Sequence, residues 1–213
     1  MSARRPPQWP SSVMFITSPR YHYSVPASAR FFLTNGVALP IHPPPPDLNF
    51  AVHPVVRIRF ISQPAHPARG QYGLFAFKKI QPRTHIIDYM GEVHCQERPN
   101  SDYDLSLFRS QDGVNVGIDA SLMGNESRFV NDYRGIRGKP NAEFVEYRTA
   151  TGELRMSIWS TEDTIKKGEE IVVSYGKSWW LNRNSADPPP IVSEVMMEVS
   201  PAYASKSYYH GLD

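Results

Sequence analysis

From Val55 to Tyr175 the chain is written in short β-branched and aromatic runs separated by glycine- and proline-marked breaks, and that punctuation admits few folds. VVRIRFI (55–61), GLFAF (73–77), HIIDYMGEV (85–93) and VNVGIDA (114–120) each read as a strand. EFVEYRTATGELRMSIWS (143–160) carries two β-rich runs about Thr151-Gly152, which predicts a hairpin, and Asp112-Gly113 predicts a further turn. IVVSY (171–175) predicts a short buried strand. One short helix is expected, around 122–130, and no internal repeat is visible. The expected fold is mainly β: several small β-sheets, few short helices and disordered tails.

The flanks differ in kind. Of the 20 prolines, 13 lie at or before Pro67, and no acidic residue precedes Asp47 although Arg4, Arg5, Arg20 and Arg30 do. Such a stretch buries too little surface to offset its ordering entropy, so residues 1–54 are expected to be a disordered arm. Three readings of it stay open: a mitochondrial presequence, whose amphipathic helix the prolines oppose, an electrostatic arm for an acidic partner such as chromatin, or a solubilising tail. Order is expected over 55–182, with a loosely ordered tail over 183–213 that contains Pro188–Pro190. No apolar run approaches the roughly 18 residues of a membrane span, so no membrane partner is expected. A single cysteine, Cys95, excludes an internal disulfide and a multi-cysteine zinc site. The 7 histidines show no close ligand spacing, so no metal is expected. A net charge of +2 is too small to declare a specific nucleic-acid binder.

Four stretches, in order, resemble the SET domain of lysine methyltransferases. They are RGQYGLFAF (69–77), YMGEV (89–93), the pair IDASLMGNESRFVNDY (118–133) and KPNAEFVEY (139–147), and TIKKGEEIVVSYG (164–176). A glycine pair or a YxGE alone is weak evidence. The ordered combination of GN-x-SRFVN, PN and GEE…YG is specific. The resemblance implies the family's knot-like C-terminal crossing, S-adenosylmethionine as cofactor, and a lysine-bearing protein substrate, a histone tail by default or a non-histone protein otherwise. It implies a nuclear location, with mitochondrial or cytoplasmic ones as alternatives, and fixes no oligomeric state.

Methyl transfer to lysine needs a neutral amine, and a free lysine near pKa 10.4 is neutral in only about one molecule in a few thousand at pH 7. An apolar aromatic channel disfavours the ammonium by desolvation, an electron-rich lining tolerates the donor's sulfonium, and alignment supplies much of the rate. By resemblance, Tyr175 stands beside the transferring methyl, with a core tyrosine as the alternative. Tyr103, in DYDLSLF, would line the lysine channel, and Tyr89 would face the donor or simply pack in a strand. Gln71, Tyr72 and Gly73 would present backbone groups to the donor's amino-acid end. Gly70 and Gly73 bracket two residues where the family usually has one, so a bulge is expected there. Asn131 would hold the donor through its amide. Arg128 and Phe129 border the cofactor stretch and would pin it by ion pairing and burial, while Asn141 and Glu92 read as loop supports.

Two departures stand out. Asp132 replaces the histidine that usually follows the motif asparagine, so its carboxylate would sit beside the cationic sulfonium, and a non-catalytic SET-fold module becomes an alternative. No cysteine follows Cys95, so the resemblance does not extend to the zinc modules that flank many histone-directed members. Trp179 and Trp180 would close the channel as an aromatic lid or seal a small core. Val173, small where an aromatic residue often tunes channel volume, would leave room for bulkier products. Cys95 reads as an inert thiol.

Overall fold

The computed structural model describes residues 5–36, 55–110, 113–176 and 179–180. The chain divides into two compact units, Met1–Ser174 and Tyr175–Asp213. The proposed tail over 183–213 lies outside the described residues.

The first unit is a set of small sheets. Strands β1 (Met14–Phe15) and β2 (Arg20–Tyr21) come first, then helix α1 (Ala27–Thr34). Strands β3 (Val56–Phe60) and β4 (Tyr72–Ala76) form a hairpin, followed by β5 (His85–Asp88), β6 (Glu92–His94), β7 (Asp104–Arg109), β8 (Asn115–Asp119) and β9 (Met123–Gly124). A 3-10 turn, Glu126–Phe129, leads into β10 (Asn131–Asp132). The hairpin of β11 (Ala142–Arg148) and β12 (Leu154–Ser160) precedes β13 (Val172–Val173). The sheets run β2-β6-β8-β7, β11-β12-β5, β3-β4, β1-β9 and β10-β13. The core lies between the four-stranded and three-stranded sheets, where Val93, Leu107, Val116, Ile118, Leu154 and Met156 meet Leu33 of α1.

The first correction is at the N-terminus. Residues 5–36 are not a loose arm: β1 pairs in parallel with β9, β2 pairs in parallel with β6, and Val13, Ile16, Val25 and Leu33 are buried. The prolines flank these elements instead of interrupting them, and Pro26 occupies the N-cap position of α1. Arg148 of β11 anchors the helix's other end, donating to the carbonyls of Phe32 (3.0 Å) and Gly152 (2.8 Å). That places a cation at the helix C-terminus, where the helix dipole favours it. Residues 1–4 and 37–54 of the expected arm lie outside the described residues.

Smaller corrections concern the strands. HIIDYMGEV is two strands, because the chain turns at Tyr89–Gly91, where a Cβ on Gly91 would meet the Asp119 carbonyl oxygen at 2.5 Å. The helix expected around 122–130 is a 3-10 turn of 4 residues. DLSLFR is a strand with a register shift between Ser106 and Phe108. Of the turn expected at Asp112-Gly113, Asp112 lies outside the described residues, while Gly113 takes a φ of 84°.

Leu33 is fully buried between α1 and the four-stranded sheet. Leu33→Ala is expected to lower unfolding free energy by about 2–5 kcal/mol in urea titrations, as for other buried leucines. An unchanged midpoint would mean that the helix does not dock.

Candidate functional site

The GNESRFVND stretch turns most of its polar side chains inward. Asn125 donates to the Asp88 carbonyl (2.9 Å), and its Oδ1 accepts from the Met90 amide and the Ser127 hydroxyl. This ties the 3-10 turn to the YMG bend. Arg128 is buried, donates to the Ala120 carbonyl (2.9 Å) and lies over the Tyr103 ring at 4.2 Å. Burial of Arg128 matches the expectation. The expected ion pair does not, since among the described residues its partners are a carbonyl and two aromatic rings. Phe129, also buried, stands edge-on to Trp9 and to Tyr72.

The glycine loop follows from hairpin geometry. Two residues face Ile61: the Gly70 amide donates to its carbonyl, and its own amide donates to the Gln71 carbonyl, both at 2.9 Å. With Gly70 at a φ of 83°, this is a bulge with glycine at the left-handed position. Gln71 is consumed here, its amide donating to Ala68. Alternation along an antiparallel ladder then turns the amide and carbonyl of Tyr72 away from β3, as it does those of Leu74 and Ala76. Leu74 and Ala76 bond residues 168–171, and Tyr72 faces the Asn131 side chain, whose Nδ2 lies 3.5 Å from the Tyr72 carbonyl. Gly73 lacks the Cβ that would meet Glu170 Oε1 at 2.7 Å.

Glu170 is the residue that the sequence reading passed over. Its Oε1 accepts from Asn131 Nδ2 (2.8 Å) and its Oε2 from His66 Nε2 (2.8 Å). His66 Nδ1 accepts the Ala68 amide, so the proton sits on Nε2 and points at the carboxylate. Asn141, fully buried, bonds the Glu170 carbonyl and the Val172 amide, each at 2.8 Å. The only sequence signal was that Glu170 belongs to GEE. His66, 104 positions away, gave none.

Other expected residues are placed as follows. Tyr89 is a core residue, 4% exposed, with its hydroxyl on the Tyr103 carbonyl and its ring edge-on to Phe144, which is the packing alternative. Tyr103 is half-buried beneath Arg128. Asp132 is buried with its carboxylate on the Arg134 guanidinium (3.0 Å), so its charge is already paired. Val173, expected to shape a channel, is fully buried and paired with Asp132. Burial pushes the Cys95 thiol up, as an inert thiol requires. In the second unit, Tyr175 stands edge-on to Trp179 (4.8 Å), and Trp179 edge-on to Trp180 (5.0 Å). Among the described residues no group of acidic, histidine or cysteine side chains could hold a metal ion.

A SET-domain family profile matches residues 71–176. This chain belongs to the SET-domain family. The match spans the glycine loop, the asparagine motif and the GEE…YG segment. This SET protein is 33% identical over 111 residues to a putative histone-lysine N-methyltransferase, ASHH4, of Arabidopsis thaliana, covering 49% of the chain and 30% of that relative. It is 30% identical over 131 residues to an H3 lysine-36 specific histone-lysine N-methyltransferase of Gibberella zeae (56% and 13%), and 31% over 115 residues to human EHMT1 (51% and 8%). The chain thus spans under a third of the length of these relatives. Among solved structures it superposes on ATXR5 in complex with histone H3.1 with a TM-score of 0.55 at 19% identity, covering 77% of this chain and 81% of that one, which shows the shared fold.

At the start of the asparagine stretch, Asp119 accepts from Arg98, Ser101 and Ser121 and braces the entry to the loop. Burial alone would raise its carboxyl, but these donors hold it below the usual value. A lowered folded value contributes stability above about pH 4 that is lost as pH falls through it. Asp119→Asn should be less stable at pH 7 and show a flatter loss of urea midpoint below about pH 4. An acid limb as steep as the wild type's would contradict this.

Proposed function

We propose that this SET protein is an S-adenosylmethionine-dependent protein-lysine N-methyltransferase acting on a histone tail, and hence in the nucleus. The observation that carries the reading is the meeting of the glycine loop and the motif asparagine. The Tyr72 backbone and the Asn131 amide lie side by side, with Asn131 fixed by Glu170. The donor set fits a zwitterionic amino-acid end: the Tyr72 carbonyl and Asn131 Oδ1 suit an ammonium, and the Tyr72 amide suits a carboxylate. When bound, S-adenosylmethionine supplies a methyl group on a positively charged sulfur. Tyr72 and Asn131 would hold its amino-acid end, and Phe129 would back the loop. The Tyr175 hydroxyl would orient the neutral lysine amine and accept weak C–H contacts from the methyl. Trp179 and Trp180 would wall the lysine off from water, favouring the uncharged amine. The names of the relatives support the reaction class and a histone as substrate.

One observation favours a second reading, a SET-fold module without activity. Asp132 stands where the family usually has histidine, and its carboxylate is spent on Arg134. Calorimetric titration with S-adenosylmethionine separates the two, with micromolar binding expected for the enzyme and none for the module. Asn131→Ala should abolish that binding. Tyr175→Phe should keep it while cutting methyl transfer to histones by about a hundredfold or more, in the range of other groups that act at the reacting atoms. Transfer unchanged in Tyr175→Phe would refute its assigned role, and mass spectrometry of labelled extract would show whether the substrate is a histone or another protein.

A further inference from the structure

The arginines on the outer face of the β3–β4 hairpin take no part in that reading. On β3, Val56 and Ile58 are buried while Arg57 and Arg59 are exposed on the opposite side. Arg57 lies across from Phe75 and Arg59 across from Gly73. The Arg59 guanidinium sits 4.7 Å from the Phe75 ring centre, and that of Arg57 sits 5.8 Å from Phe77. Arginines and phenylalanines therefore alternate along one face, and each guanidinium is held over a ring before any ligand arrives. Beyond the hairpin, Lys78 and Lys79 are exposed, and Ile80 bridges Ile165. That bridge, with the Gly168 amide on the Ala76 carbonyl, sets exposed Lys166 and Lys167 beside them.

These six cations form no ion pair among the described residues. Of the nearby carboxylates, Glu162 pairs with Arg83 and Asp163 with Lys139, while Glu169 accepts the Lys166 amide and Glu170 holds His66 and Asn131, so the six cations outnumber the carboxylates that keep their charge beside them. In a chain of net charge +2, this is a local excess of positive charge, with two of the cations on strand β3 and four on the adjoining loop segments.

We propose that this face binds the phosphate backbone of a nucleic-acid duplex without reading its bases. A polyanion with regularly spaced charges suits cations fixed along a strand, whereas a lipid surface would call for apolar side chains standing clear of the face. The exposed phenylalanine here, Phe77, lies beneath Arg57, and Phe60 and Tyr72 fall on the opposite face by alternation. Among the described residues no helix accompanies the patch to enter a groove, so the contact is with phosphates alone. This inference does not rest on methyl transfer.

The test is fluorescence anisotropy of a labelled 20-base-pair DNA duplex with the full chain, about 50 to 200 mM salt, alongside phosphatidylserine vesicles. The wild type should bind and weaken steeply with salt. Arg57→Ala/Arg59→Ala should reduce the slope of log affinity against log salt by about 2 and weaken binding about tenfold or more at the low-salt end. Lys78→Ala/Lys79→Ala, on an exposed turn, should do the same and stands in should the arginine variant fail to fold. Arg20→Ala/Arg109→Ala removes two exposed cations of the four-stranded sheet instead and should shift affinity less than about twofold. No wild-type binding, an equal loss in that control, or variants that lose vesicle binding while keeping DNA binding would each overturn the proposal.

Discussion

The Glu170 carboxylate is the joint on which the site depends. It accepts from two side chains that belong to different parts of the chain, His66 in the loop ahead of the glycines and Asn131 in the asparagine motif. Its position is over-determined. The backbone at Glu170 bridges Phe75 of β4, its carbonyl is held by Asn141, and the missing Cβ of Gly73 makes room for Oε1. A carboxylate with side-chain exposure of 9% is costly to bury unless its oxygens are bonded, so the two donors and the acid specify one another. Tyr72 then has its backbone edge delivered to Asn131 as a consequence of β-ladder alternation, which brings its carbonyl to 3.5 Å from Asn131 Nδ2.

The scaffold around this joint is assembled from both ends of the first unit. The N-terminal segment supplies β1 and β2, which add strands to β9 and β6, and Trp9, whose ring meets Phe129. Asn125 binds the asparagine stretch to the YMG bend, and Arg128 seals it over Tyr103 and against the Ala120 carbonyl. A loop rich in hydrogen-bonding side chains is thus a fastening, with Asn131 left to face the edge of β4. The hairpin that offers that edge also carries the arginine-phenylalanine face, so one element serves two surfaces.

The strands built of β-branched and aromatic residues, β3, β4, β8, β11 and β12, were legible as short apolar runs between breaks, and the motif order carried the family. The bulge at Gly70 was readable from the glycine spacing. Helix α1 was missed because its stretch is short, proline-preceded and surrounded by sequence of disordered composition. Its stability comes from one buried leucine and a distant arginine, neither visible locally. Strand β7 was missed because DLSLFR carries a charge at each end and a register shift, which blurs the period. Tyr89 could not be assigned to core or donor site, since both uses favour an aromatic residue at the end of a strand. The His66–Glu170 pair joins positions brought together only by the fold, and no local pattern announces it.

Hydrogen exchange of the backbone amides, read by mass spectrometry on the wild type and on Glu170→Gln, addresses this joint without assuming any activity. Glutamine cannot accept from both His66 and Asn131 through two carboxylate oxygens, so exchange should rise in residues 66–72 and 131–133 together while β11 and β12 stay protected. Unchanged exchange in either segment would show that the two are held independently, and that the carboxylate does not connect them.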